Sequence, residues 1–182
     1  MARVVFLDRD GVVTAETGAY VTTASALQIL PGACEAIARL HSCGWKVFLF
    51  TNQAGVGRGY LSLETLGAIH DRLVEEIERA GGRLAGIYFC PHAPEAGCDC
   101  RKPKAGLLLR AAREHGLNLS GCWVLGDSHR DIIAGATVQA HTAIALTGHT
   151  KQGDIATMPE PRPERVFMNI QEASEWLCDS CE

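Results

Sequence analysis

Six short apolar runs, each closing on or near Asp, Gly, Thr or Cys, alternate with stretches of helical periodicity along this chain, and that alternation restricts the fold more than any other feature. The runs are Val4–Leu7, Lys46–Thr51, Gly86–Cys90, Cys122–Gly126, Thr142–Leu146 and Arg165–Met168, rich in β-branched and aromatic residues, and they are read as strands. Between them Gly32–Cys43, Leu63–Ala80, Ala105–His115, Arg130–Val138 and Ile170–Leu177 repeat apolar residues every three or four positions among good helix formers, and they are read as helices. Strand and helix in alternation imply an α/β fold, a three-layer Rossmann-like parallel sheet with helices on both faces. In such sheets ligands bind beyond the carboxyl ends of the strands. With 182 residues, 47% of them hydrophobic, the expectation is a single domain over 1–182. The polar, proline-containing stretch Thr147–Arg165 is read as a surface connector.

The strand ends carry the chemistry. The first runs into Asp8-Arg9-Asp10-Gly11-Val12, which sets two carboxylates two residues apart, although Asp-x-Asp at a strand end is also a common turn. The second ends at Thr51-Asn52-Gln53, a hydroxyl and two amides able to hydrogen-bond phosphate oxygens, followed by the flexible Gly55-x-Gly57-Arg58-Gly59. After the third come Arg101 and Lys102, and the fourth ends at Gly126-Asp127 with Asp131 four residues on. Carboxylates, a hydroxyl and a lysine suit phosphoryl transfer, because an anionic nucleophile nearing an anionic phosphate needs its charge cancelled. Mg2+ takes hard oxygen ligands and keeps waters, so Asp8, the Asp10 backbone carbonyl and Asp127 suffice to hold it, with Asp131 as an alternative ligand or a residue orienting one.

A second set of ligands has a different chemistry. Cys90-Pro-His92, five residues, then Cys98-Asp-Cys100 places four soft or borderline donors within eleven positions, the type and number for a closed tetrahedral Zn2+ site. Four protein ligands leave no coordination position for water, so the expected role is structural: the loop 90–100 presents Arg101 and Lys102. The remaining cysteines are read as small core residues (Cys34, Cys43, Cys122) or as a C-terminal pair with metal or redox spacing (Cys178 and Cys181) that stays outside the site. The other histidines, His70 and His149 among them, are read as surface or satisfied core residues.

Asp8-x-Asp10-Gly-Val, Thr51-Asn-Gln, Lys102 and Gly126-Asp127-x3-Asp131 resemble the four motifs of the haloacid dehalogenase superfamily phosphatases, in the same order and strand context. The resemblance implies Asp8 as nucleophile through an aspartyl-phosphate, Asp10 as general acid and then base, Thr51 and Lys102 as phosphate holders, and Asp127 on magnesium. Only 40 residues separate Asp10 from Thr51, and only the zinc loop separates Cys90 from Lys102, so neither usual place for a lid domain has room for one. This capless, zinc-loop form is similar to the branch containing D-glycero-D-manno-heptose 1,7-bisphosphate 7-phosphatases, enzymes of nucleotide-heptose biosynthesis, and histidinol-phosphate phosphatases. Arg58 after the Asn-Gln pair favours the heptose side, and the short metal loop is shared with the histidinol side. A bisphosphate also needs a second cationic pocket, for which Arg58 and Arg101 are the candidates beside Asn52 and Gln53.

The expected partner is a small phosphorylated sugar. A formal charge of -4 and 6% aromatics argue against nucleic acid, and no run is long enough for a membrane span. With an opening apolar run of only four residues, a cytoplasmic location is expected, and the chain is read as a monomer. A noncatalytic zinc-stabilised module is the contrasting reading; it predicts loss of motif residues, and none is missing.

Overall fold

A computed structural model describes residues 3–180. Six strands, β1 (Val4–Leu7), β2 (Lys46–Asn52), β3 (Leu84–Cys90), β4 (Trp123–Gly126), β5 (His141–Ala145) and β6 (Arg165–Phe167), form one parallel sheet in the order β3-β2-β1-β4-β5-β6. The helices are α1 (Ala33–Ser42), α2 (Ala54–Gly57), α3 (Leu63–Arg79), α4 (Gly106–His115), α5 (His129–Thr137) and α6 (Ile170–Asp179).

The period of two along each strand divides the core into two halves. Val5, Leu7, Val47 and Leu49 point to one face, where Ile37 and Leu40 of α1, Leu66, Ile69 and Leu73 of α3, and Ile170 and Leu177 of α6 cover them. Val4, Phe6, Phe48 and Phe50 point to the other, against Leu107, Leu108 and Ala111 of α4 and Ala134 of α5. The strands are therefore apolar on both sides, as a doubly covered parallel sheet requires. The chain winds outward from β1 to β3 and then returns to pair β4 on the opposite side of β1. Where the winding reverses, the loops after β1 and β4 separate and leave a crevice.

Three expectations are corrected. The glycine-rich segment after β2 is not a free loop: it forms α2, and Gly57 lies so close to the loop after β3 that a Cβ there would run into the backbone of Ala93 and Pro91. Gly57 N–H also donates to the Pro91 carbonyl at 2.7 Å, so this glycine fastens one site loop to the other. The stretch Thr147–Arg165 is not purely superficial, because Thr150 and Met158 are buried and Met158 and Ile155 pack on Ile132 and Ile144. Finally, Cys43 is not a free core thiol. It caps α1 and is disulfide-bonded to Cys178 of α6, the Cα atoms 5.9 Å apart. The packing of α1 on α6 creates this pair across 135 residues of sequence, which no local spacing reveals. Cys181 lies outside the described residues. Among the described residues no helix is long and apolar enough to cross a membrane.

Candidate active site and metal-ligand loop

β1 ends in the crevice, and Asp8, the next residue, is buried there; its backbone N–H still donates to the Leu125 carbonyl at 2.9 Å, so the sheet fixes its position. Asp127 follows β4 immediately. Its carboxylate is tightly cradled: a Cβ on either Gly11 or Gly148 would collide with it, and Gly11 takes φ +86°, a conformation that glycine adopts without strain. Asp131 belongs to the first turn of α5, where Oδ2 accepts from Ser128 N–H at 3.1 Å and Ser128 Oγ–H at 2.7 Å and so ties the carboxylate to the start of the helix. Carboxylate oxygens of Asp8, Asp127 and Asp131 all lie within 4.8 Å of one another.

Lys102 is the single lysine among them, 3% exposed. Its Nζ stands 2.9 Å from Asp8 Oδ2 and 2.6 Å from Asp131 Oδ1, donates to the Phe50 carbonyl at 3.0 Å, and lies 4.2 Å from the centre of the Phe50 ring. Burial pulls this ammonium down, but Asp131 and Asp8 outweigh it and hold it above its usual value. For Asp8 the balance goes the other way. Burial pushes its carboxyl up to about 8; Lys102 opposes the rise, and Asp131, Asp127 and Asp10 add to it. Three buried carboxylates face one lysine, and Asp131 Oδ1 has an ion-pair partner but no hydrogen bond. That residual negative charge, on hard oxygens, fits a small divalent cation.

Asp10 is tied down separately. Arg9, 1% exposed, grips it with a fork, Nε to Oδ1 at 3.0 Å and Nη2 to Oδ2 at 2.8 Å, while Thr14 Oγ–H and Gln53 Nε2–H donate to the same carboxylate at 3.0 and 2.8 Å. Behind Arg9 stands His70, ring nitrogen 3.3 Å from Nη1, its pKa lowered to about 4 by burial first and by Arg9 second. Gln53 also donates to Thr51 Oγ at 2.9 Å, so its amide serves Asp10 and Thr51. Asn52 spends its side chain on the backbone of Lys102, donating to the carbonyl at 3.2 Å and accepting from the N–H at 3.1 Å. Both amides, expected on phosphate, hold other site residues in place in the structure.

Asp8, Asp10, Thr51, Asn52, Lys102 and Asp127 line a narrow pocket of about 70 Å3. It adjoins a wider cleft of about 430 Å3 bordered by Arg9, Gln53, Tyr20, Arg58 and Arg101. Arg58 reaches Tyr20 Oη at 2.7 Å and Glu95 at 3.5 Å, and Arg101 donates to the His92 carbonyl at 3.5 Å. Glu16, Arg130 and His149 also line both spaces, and the motif reading missed all three. His149, expected to be a bland residue, bonds Asp127 Oδ2 through both its backbone N–H and ring Nδ1 at 2.7 Å. No local pattern signals this, since His149 lies in the polar stretch after β5.

The second cluster stands beside this cleft. Cys90 Sγ and Cys98 Sγ are 3.5 Å apart, as are Cys98 and Cys100; His92 Nδ1 lies 3.6 Å from Cys90 Sγ and 3.3 Å from Cys100 Sγ. Ligands at about 2.3 Å from a tetrahedral ion would have edges of about 3.8 Å, so the four atoms already approximate such a cage.

A nucleophile-capable carboxylate, a second held carboxylate, a buried lysine and a cation-competent acidic cluster, all at the switch point of a doubly wound sheet, define a phosphoryl-transfer hydrolase. The HAD-hydrolase-like family model matches residues 99–173. D-glycero-beta-D-manno-heptose-1,7-bisphosphate 7-phosphatase of Pseudomonas aeruginosa is 41% identical over 162 residues, 89% of each chain. The enzyme of that name from Bordetella bronchiseptica is 37% identical over 175 residues, 96% of this chain and 97% of its own. The crystal structure of the B. bronchiseptica D,D-heptose 1,7-bisphosphate phosphatase, complexed with magnesium and phosphate, superposes with a TM-score of 0.93 at 36% identity, covering 98% of this chain and 99% of that one. This chain belongs to the haloacid dehalogenase-like phosphatases, in the family of the D-glycero-D-manno-heptose 1,7-bisphosphate 7-phosphatases.

Proposed function

We propose that this chain, a single phosphatase domain over residues 1–182, removes the 7-phosphate of D-glycero-D-manno-heptose 1,7-bisphosphate through a phosphorylated Asp8. The observation that carries the reading is the meeting of Asp8, Asp127, Asp131 and Lys102 in one buried pocket at the ends of β1 and β4. The names of the relatives support the substrate and, for one of them, the use of magnesium.

Asp8 attacks phosphorus as the P–O ester bond breaks, and Asp10 supplies the proton that the departing alkoxide takes. Water then attacks the phosphorus of the aspartyl-phosphate and gives its proton to Asp10. The acyl phosphate P–O bond breaks, inorganic phosphate leaves, and Asp8 is again a carboxylate. Lys102 offsets charge on the nucleophile and phosphoryl oxygens, and Thr51 offers its hydroxyl to the latter. Asp8, the Asp10 carbonyl and Asp127 hold Mg2+, with Asp131 fixing Lys102 and the start of α5; bound there, the ion neutralises the phosphoryl oxygens and the excess carboxylate charge. His149 steadies Asp127 through its backbone N–H and its ring.

Cys90, His92, Cys98 and Cys100 hold a structural Zn2+ that sets the loop from which Arg101 and Lys102 project. In this capless reading, loops and the substrate itself would exclude water from the cleft.

The test is phosphate release from D-glycero-β-D-manno-heptose 1,7-bisphosphate, fructose 1,6-bisphosphate and histidinol phosphate, each with and without Mg2+. Magnesium-dependent release, fastest from the heptose, is expected. Fastest release from histidinol phosphate overturns the substrate, and no release from any of them overturns the catalytic mechanism.

A further inference from the structure

Four arginines line the cleft outside the nucleophile pocket, and they differ in what they already hold. Arg9 is buried and committed to Asp10 and His70. Arg58 gives one nitrogen to Tyr20 Oη at 2.7 Å and lies 3.5 Å from the Glu95 carboxylate, which cancels part of its charge. Arg101 donates to the His92 carbonyl at 3.5 Å. Arg130 is exposed, and among the described residues its guanidinium has no hydrogen-bond or ion-pair partner.

Its position is as informative as its freedom. Arg130 is the second residue of α5, between the capping Ser128 and Asp131, and is the one arginine that lines both the 70 Å3 pocket and the 430 Å3 cleft. A cation in the first turn of a helix opposes the helix dipole, so fold stability alone does not favour arginine there. An anion bound in front of it removes that opposition. Glu16, which lines both spaces as well, takes the Gly18 N–H at 2.8 Å on one carboxylate oxygen and leaves the other as an acceptor suited to hydroxyls rather than to a phosphate.

We infer that Arg130, with Arg101 and without a leading part for Arg58, binds the non-reacting phosphate of a bisphosphate substrate and thereby sets the preference for bisphosphates over simple monoesters. The inference rests on the phosphatase reading above and sharpens it. A free guanidinium offers two parallel N–H donors to a phosphate, and among the described residues this is the one unspent fork at the junction of the two spaces. Arg58, by contrast, must first release Tyr20 and Glu95.

Steady-state kinetics of the full chain with Mg2+ test this, using D-glycero-β-D-manno-heptose 1,7-bisphosphate and p-nitrophenyl phosphate as substrates. Arg130→Ala is expected to lower kcat/KM for the bisphosphate about 10- to 100-fold, chiefly through KM, and to lower that for the monoester by less than about threefold. Arg130→Lys, which keeps the charge and loses the fork, should fall between, and Arg58→Ala should cost less than Arg130→Ala on the bisphosphate. Equal losses on both substrates, no loss on the bisphosphate, or a larger loss from Arg58→Ala overturns the assignment while leaving the phosphatase reading intact. Wild-type turnover of the monoester alone overturns the bisphosphate substrate and this assignment together, and wild-type inactivity on both rejects the proposed reaction itself.

Discussion

Asp8 and Asp127 stand at the ends of paired central strands and Asp131 on a capped helix turn, whereas of Cys90, His92, Cys98 and Cys100 only the first belongs to the sheet. The other three ride on a loop whose tethers are few, among them Gly57 N–H on Pro91 and Lys104 on Gly97 and Asp99. The carboxylates are buried, whereas of the loop ligands only Cys90 is buried, Cys98 and Cys100 being partly exposed and His92 exposed. One cluster therefore has its shape imposed by the fold and concentrates like charges within it; the other rests on few tethers, so an ion held there would add more to its rigidity. Loss of a cation should cost the first chemistry and the second structure.

Asp8→Asn tests the first half of that contrast and should have the largest effect. It removes the nucleophile and one of three crowded carboxylates together, so turnover should fall on the order of 10^4-fold or more while the protein stays folded. The measurements are phosphate release and thermal melting without Mg2+. Activity near that of wild type would remove the covalent route, and a collapse of the melting temperature would show that the pocket stabilises the fold after all.

Cys100→Ser tests the other half. Loss of one ligand from a closed site should release zinc, read by metal analysis. It should also destabilise the chain by about 2–3 kcal/mol, or about 5–10 °C in melting temperature for a protein of this size. Because Cys100 adjoins Arg101 and Lys102, activity should fall as well, although no reacting group is touched. An unchanged melting temperature and zinc content would make the two clusters alike.

The contrast also explains what could be read from the chain. The carboxylates were legible because a short apolar run dictates a strand and a parallel sheet dictates where its end lies, and the metal loop was legible because four ligands fall within eleven positions. What escaped depends on contacts between distant segments. His149 reaches Asp127 only because the chain after β5 folds back over β4, and Cys43 meets Cys178 only because α1 packs on α6. Asn52 and Gln53 are legible as donors, but donor chemistry alone does not say that Lys102 and Asp10 already occupy them.

Gln53→Ala probes that supporting layer in the carboxylate pocket. Arg9 and Thr14 still hold Asp10, so the carboxylate loses one of four donors and some of its fixed direction. A fall in kcat of about tenfold, with KM little changed, is expected of a residue that orients the proton carrier. A change in KM alone would return Gln53 to the substrate.

The smallest effect concerns the floor beneath that pocket, where the two regions differ again: His70 gives the carboxylate site a buried titrating base. With a folded pKa of about 4 against an ordinary 6.5, His70 is neutral in the native protein, whereas the unfolded chain takes up its proton as pH falls. Its contribution is therefore complete above about pH 6.5 and is lost progressively between 6.5 and 4. Between pH 7 and pH 5.5 the wild type should lose about 1 kcal/mol more than His70→Gln, which keeps a polar group toward Arg9 and cannot titrate. Asp8 titrates in both proteins, so its opposite trend cancels from the difference. Denaturant midpoints at the two pH values measure it. Parallel losses would mean that His70 is protonated in the folded state, which the guanidinium 3.3 Å away opposes.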